Sequence, residues 1–287
     1  MRVLPDPRDV PPAEMYRLEN FCEGPVVDEA GALFISAPPR GYVERRDAAG
    51  AFSEWTRAPR ANGHKILADG QHLLCNSDHI LRLDPEGHHL GRAAGGLARS
   101  LDEGPDHEIR WPNDITMDGA GGFYFTESLR HEGAVIHVGG DGEARVFARD
   151  IDFANGLVLS PDGGSLFIAE SYTNRILVID VESPGRPSGA LRFFADLPTH
   201  GRATGQEGAS SLPDGITVDD DGRLWIAHYG MGAVQVLSPT GALEATYDAG
   251  MSLVSNLCFA ADGLYVTGGD GTPGPGVVTR LEIMRSG

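Results

Sequence analysis

Six times along this chain, a polar residue that opens an apolar strand is followed eight positions later by a glycine. The pairs are Glu23 and Gly31, Asn62 and Gly70, Asn113 and Gly121, Asn155 and Gly163, Asp214 and Gly222, and Ser255 and Gly263. One such turn constrains little, but six in register are an internal repeat. The fullest copy, Leu212-Pro-Asp-Gly-Ile-Thr-Val-Asp-Asp-Asp-Gly-Arg-Leu-Trp-Ile-Ala-His-Tyr-Gly230, reads as two strands around a tight turn. Ile216 and Val218 alternate with polar neighbours, residues 219–222 reverse the chain, and Leu224-Trp-Ile226 returns.

Each unit continues in the same order: inner strand, glycine turn, apolar second strand, loop, then two more polar strands. The second strands start at Leu33, His72, Phe123, Leu166, Leu224 and Leu264. Four strands in a repeat of about 40 residues is the arithmetic of a β-propeller blade. The expected fold is therefore all-β, a closed six-bladed β-propeller forming one domain over residues 1–287, with 1–14 as an extended lead-in. The last unit ends one strand short, and Met15 to Phe21 is the segment expected to complete it. Closure of this kind protects edge strands that an open array would expose.

Composition narrows the function classes. With a net charge of −18 the chain would repel a phosphate backbone, so nucleic acid is not an expected partner. Most of the carboxylate excess falls in turns, where it serves solvation and turn geometry. No apolar run approaches the roughly 18 residues of a membrane span. The N-terminus lacks the apolar core of a signal peptide. The three cysteines, Cys22, Cys75 and Cys258, are too few for a disulfide framework or a zinc knuckle. A reduced, cytoplasmic protein is expected, with Cys22 and Cys258 packed in the core.

Two repeat intervals are long, 51 positions from Asn62 to Asn113 and 59 from Asn155 to Asp214, against 39 to 42 elsewhere. The surplus lies in 91–110 and 181–211. Links into inner strands lie on the face where those strands begin, so both insertions are expected to enclose that entrance. Loops between second and third strands should bring Arg130, His131, Tyr172, His228, Tyr229 and Asp270 to the same rim.

Inner strands surround the axis, so Glu23, Asn62, Asn113, Asn155, Asp214 and Ser255 should converge there. Two carboxylates and several amide oxygens aimed at one axis repel unless a cation or protons intervene. Oxygen ligands without His or Cys suit Ca²⁺, Mg²⁺ or Mn²⁺ better than a structural zinc. No Gly-x-Ser-x-Gly elbow and no His-Glu-x-x-His pair offers another route to hydrolysis.

Glu23-Gly-Pro, Pro112-Asn-Asp, Asn155-Gly, Leu212-Pro-Asp-Gly and Ala227-His-Tyr-Gly together resemble the gluconolactonase, senescence-marker-protein and luciferin-regenerating-enzyme family. The resemblance implies a six-bladed propeller with one divalent cation in its channel, Ca²⁺ first, with Mg²⁺, Mn²⁺ or Zn²⁺ as alternatives. It places Glu23, Asn155 and Asp214 as metal ligands, Asp214 also as general base, and Asn113 as the substrate-side asparagine. Asn62, Trp111, Asn113, Glu127, Tyr172 and His228 are the expected substrate contacts. Sugar-lactonase members carry Arg where Trp111 stands, so a less polyhydroxylated lactone is expected. The implied activity is metal-dependent opening of a small lactone by a monomer or weak homo-oligomer. Hydrolysis of a phosphotriester or aryl ester, a non-hydrolytic biosynthetic reaction, and a small-molecule-binding propeller are the alternatives.

Overall fold

The computed structural model describes residues 3–101, 105–199 and 211–285. Six four-stranded antiparallel sheets stand in a ring as the blades of a propeller, and no α-helix occurs among the described residues. The inner strands of blades 1 to 6 are Glu23–Val27, His64–Ile66, Pro112–Met117, Ala154–Leu159, Leu212–Val218 and Leu253–Ala260. In every blade the order from the axis outward follows the chain, except that the outermost strand of blade 6 comes from the N-terminus.

That strand is Ala13–Leu18, pairing from Ala13 opposite Arg280 to Leu18 opposite Gly276, with a bulge between Glu14 and Tyr16. It ends three residues earlier than the sequence suggests. Gly274 and Gly276 press against the backbone of Glu19 and Asn20, which bends the chain inward. Phe21 N then donates to Pro273 O at 2.7 Å, and Phe21 leaves the sheet for the entrance. Before the strand, Pro7–Asp9 forms a single 3-10 turn rather than a fully extended lead-in.

Closure is visible in the packing. The buried apolar residues fall into six clusters, each shared between neighbouring blades. The cluster between blades 6 and 1 joins Leu18, Cys22, Leu33, Ile35 and Val278, so Cys22 is a core residue. Cys258 is only half-buried and stands outside these clusters.

The turns on the face away from the entrance account for much of the acidic excess. Asp118 Oδ1, for example, accepts the backbone N–H groups of Ala120 at 2.7 Å and Gly122 at 2.8 Å. Asp28, Asp84 and Asp219 cap their own turns in the same way.

The two surplus segments behave differently. Leu97–Ala98 pairs with His107–Glu108 in a short ribbon beside the outer strand of blade 3; residues 102–104 lie outside the described residues. In the second, most of the surplus lengthens blade 4 itself, because Arg175–Ser183 and Arg186–Asp196 pair as one long outer hairpin. Its tip is on the far face, where Gly185 N donates to Tyr124 Oη at 2.8 Å. The expectation that all of 181–211 encloses the entrance is thereby corrected: a turn at Ser183-Pro-Gly185 folds the surplus back into the sheet. Residues 200–210 lie outside the described residues.

Deleting residues 1–18 should leave Gly276–Leu281 as a bare edge and uncover Val278. We expect the thermal midpoint to fall by about 10 °C or more, or the protein to associate through that edge. A truncated chain that melts at the full-length temperature as a monodisperse species would contradict closure by the N-terminal strand.

Candidate functional site

The inner strands begin irregularly, and this shapes the site. Register shifts occur near the start of the inner strand in blades 1, 3, 4, 5 and 6. Close approach of neighbouring blades is the cause. A Cβ at Gly24 would overlap the carbonyl oxygen of Asn62, and one at Gly156 would overlap that of Asp214. Each Xaa-Gly step thus packs against the opening residue of the next blade.

Two blades break the pattern, carrying Asp114 and Asn256 where the others have glycine or Pro-flanked glycine. These blades stand opposite one another in the ring. Asp114 Oδ1 accepts from Ile115 N and Asn256 Oδ1 from Leu257 N, each at 2.8 Å, and the rise that burial gives the Asp114 carboxyl is partly offset by the neighbouring Asn256 side chain. The pair lies buried below the entrance.

Above it opens a pocket of about 570 Å³ lined by Glu23, Asn62, Asn113, Asn155 and Asp214 at its polar end. Five of the six expected axial residues therefore share one cavity. Ser255 is the exception: it is fully buried and donates to Cys22 O at 2.7 Å. Phe21, Trp111, Phe153, Tyr229, Pro38 and Pro39 make the apolar walls.

Glu23, Asn155 and Asp214 are each less than a tenth exposed. Burial raises the Glu23 carboxyl above its ordinary pKa, and the Asp114 charge adds to the shift. Asp214 is raised by burial and then by Glu23 and Asp114. Among the described residues no Lys, Arg or His forms an ion pair with either group. Asn155 is held by Nδ2, which donates to Ser171 Oγ at 3.2 Å, while Ser171 Oγ donates to Pro213 O at 2.7 Å. Its Oδ1 is buried with no donor, as is Asn62 Oδ1. Two buried carboxylates and an orphaned amide oxygen are what a hard divalent cation would satisfy, so these three residues fit one.

Another set of ligand-type side chains, Asp84, Glu86 and His88, lies within 4.8 Å of one another on the far face. There Asp84 is already engaged, accepting Glu86 N at 3.0 Å, His88 N at 2.8 Å and His88 Nδ1 at 2.9 Å. A larger cavity of about 930 Å³ also opens on that face between blades 1 and 2. Its carboxylates are exposed or turn-capping, so nothing there matches the converging buried oxygens of the channel.

The remaining expected contacts separate. Trp111 lines the pocket and is 41% exposed. Tyr172 stands behind the wall, edge-on to Phe153 at 5.2 Å and under the Arg130 guanidinium at 3.7 Å. His228 is not a rim residue: its side chain is fully buried, with Nε2 2.9 Å from Asn174 Oδ1 and Gln235 at Nδ1. Glu127 is not placed for substrate contact either. It is fully buried, accepts Arg110 N at 2.5 Å and Trp111 N at 3.4 Å, and pairs with His107. Its role is to pin the segment that carries Trp111.

The pocket also contains Phe21, Arg60 and Phe153, which the sequence reading passed over. A signal for them exists. They stand two residues before Glu23, Asn62 and Asn155, as Trp111 stands two before Asn113. The repeat position that precedes the axial residue is thus the wall position of four consecutive blades.

Replacing Glu127 with Ala should leave the Arg110 and Trp111 N–H groups without their acceptor and cost about 1–3 kcal/mol in chemical denaturation. Glu127→Gln, which keeps an acceptor oxygen, should recover most of that loss. Equal stability of wild type and Glu127→Ala would refute the pinning role.

The family model described as the SMP-30/Gluconolactonase/LRE-like region matches residues 21–269. Lactonase drp35 of Staphylococcus haemolyticus (strain JCSC1435) is 35% identical over 134 residues, 45% of this chain. That match spans only 39% of the relative's length. Among solved structures, a gluconolactonase from Xanthomonas campestris aligns over 94% of this chain and 95% of its own, at 23% identity and a TM-score of 0.72. Regucalcin from Agrobacterium tumefaciens (strain C58), described as a calcium-binding protein, aligns over 94% of each chain at 20% identity and a TM-score of 0.72.

Proposed function

Because this chain belongs to the SMP-30/gluconolactonase/LRE-like family, we propose that it is a divalent-metal-dependent hydrolase that opens a small lactone. One observation carries the reading: Glu23, Asp214 and the unpaired Asn155 Oδ1 converge, buried and without an ion-pair partner among the described residues, at the floor of an aromatic pocket. The lactonase named among its relatives and the calcium-binding regucalcin among its structural neighbours support the same direction.

Glu23, Asn155 and Asp214 would hold the cation, whose contribution when bound would be Lewis-acid polarisation of the lactone carbonyl. The protein's own groups do the rest. Asp214, ionised, takes a proton from the attacking water, and that proton passes to the ring oxygen as its bond to the acyl carbon breaks. The product is a hydroxy acid, whose carboxyl ionises at neutral pH and releases one proton to solvent. Asn62 and Asn113 border the same floor and orient the substrate by hydrogen bonding. Phe21, Trp111 and Phe153 cover an apolar body and keep bulk water from it.

Purified protein should release acid from a lactone panel only with a divalent cation present, and chelation should abolish the activity. Asp214→Asn should reduce turnover by about 10² or more, the scale of a lost general base. The same variant, stripped of metal, should melt no lower than wild type, because one of two repelling buried carboxylates is gone. It should also lose the thermal shift that the cation gives wild type. Full activity in Asp214→Asn, or no lactone opened with Ca²⁺, Mg²⁺, Mn²⁺ or Zn²⁺, would overturn the proposal.

A further inference from the structure

Trp111 does not meet the pocket as a bare apolar face. The Arg60 guanidinium lies over its ring, 3.9 Å from the centroid. Both residues line the pocket that holds Glu23, Asn62, Asn113 and Asp214, and Arg60 is the only cationic side chain among the described residues that line it. Sequence register accounts for the encounter. Arg60 and Trp111 occupy the same repeat position in consecutive blades, two residues before Asn62 and Asn113, so closure sets them side by side.

The arrangement is held from both sides. Trp111 is fixed through its backbone, with N near the buried Glu127 carboxylate and O accepting from Ser128 N at 3.1 Å. Arg60 takes a left-handed backbone, φ +58°, directly after Pro59, whose carbonyl accepts from Ser77 Oγ at 3.3 Å. The next residue, Ala61, donates back to Ala58 O at 3.0 Å.

Arg60 also differs from most other arginines of this face. Arg17 pairs with Asp270, Arg40 with Glu19, Arg110 with Glu132, Arg130 with Asp152 and Arg175 with Glu170. In a chain with 41 acidic residues, Arg60 pairs with none among the described residues. A guanidinium stacked on an indole keeps its in-plane N–H donors at the edge, which suits a carboxylate fork.

We infer that Arg60, laid on Trp111, selects a substrate carrying a carboxylate on a flat apolar body. The inference rests on the lactone-hydrolase reading for the reaction but not for the binding. Charge fixes the orientation of such a ligand. Its anionic end is repelled by Glu23 and Asp214 and attracted by Arg60, so it turns to the wall, and the body lies along Trp111, Phe21 and Phe153 with the lactone ring toward the floor. The net charge of −18 repels an anion at long range. Selection therefore depends on the short-range contact, where a hydrogen bond to a charged group outweighs a neutral one.

Benzoate and its neutral twin benzamide test this by calorimetric titration into the cation-loaded protein, which requires no turnover. Wild type should prefer benzoate by about tenfold or more, the scale of a charge-assisted hydrogen bond. Arg60→Gln should abolish the preference, and Arg60→Lys should keep only part of it, because an ammonium loses the planar fork. Circular dichroism and melting of both variants check that the fold is retained. Equal affinity for the two probes in wild type, or a benzoate preference that survives Arg60→Gln, would overturn the inference; the latter would place the carboxylate on the cation instead. If no lactone is opened but the preference depends on Arg60, the recognition claim stands and the hydrolase reading falls.

Discussion

Two carboxylates buried at one axis, with no cationic side chain among the described residues to pair them, are the constraint on which the rest of this structure depends. Glu23 comes from blade 1 and Asp214 from blade 5; burial raises both above their ordinary pKa values, the Asp114 charge adds to each, and Glu23 adds to Asp214. Left to itself the arrangement opposes folding, because two charges desolvated together cost free energy that water would otherwise repay. The fold tolerates it because six apolar clusters between blades close the ring independently of the channel. Stability is thus made in the blade interfaces and spent at the axis.

Glycine makes that separation possible. At Gly24 and Gly156, inner strands approach so closely that the next blade's carbonyl occupies the space of a side chain. The tight ring draws the opening residues of five blades into one cavity. Where glycine is replaced, at Asp114 and Asn256, the two side chains meet each other below the pocket. The entrance is consequently a pocket with polar oxygens at its floor and aromatic side chains around its walls.

Much of this was legible in the sequence, because a repeat is a statement about geometry. Six glycines in register set the number of blades, and a missing last strand anticipated the role of the N-terminus, displaced only to Ala13–Leu18. The axial polar residues were found for the same reason. What escaped depends on facts that periodicity does not encode. Strand alternation could not show that Glu127 and His228 are turned into the protein, since bulges shift the inner strands against their neighbours. Nor could interval length distinguish a loop over the entrance from a longer outer hairpin; the turn at Ser183-Pro-Gly185 decided that. Arg60 carries no local motif of its own, although its position before Asn62 matches that of Trp111 before Asn113. Reading the repeat two residues further back would have found the wall of the pocket as well as its floor.

The central claim is that the buried acidic floor exists to hold a divalent cation. The most direct test is anomalous diffraction from crystals soaked in Mn²⁺, which locates the ion without reference to any reaction. The account predicts one strong peak enclosed by the side-chain oxygens of Glu23, Asn155 and Asp214. No peak at that position, or a peak confined to the Asp84, Glu86 and His88 turn on the far face, would contradict it.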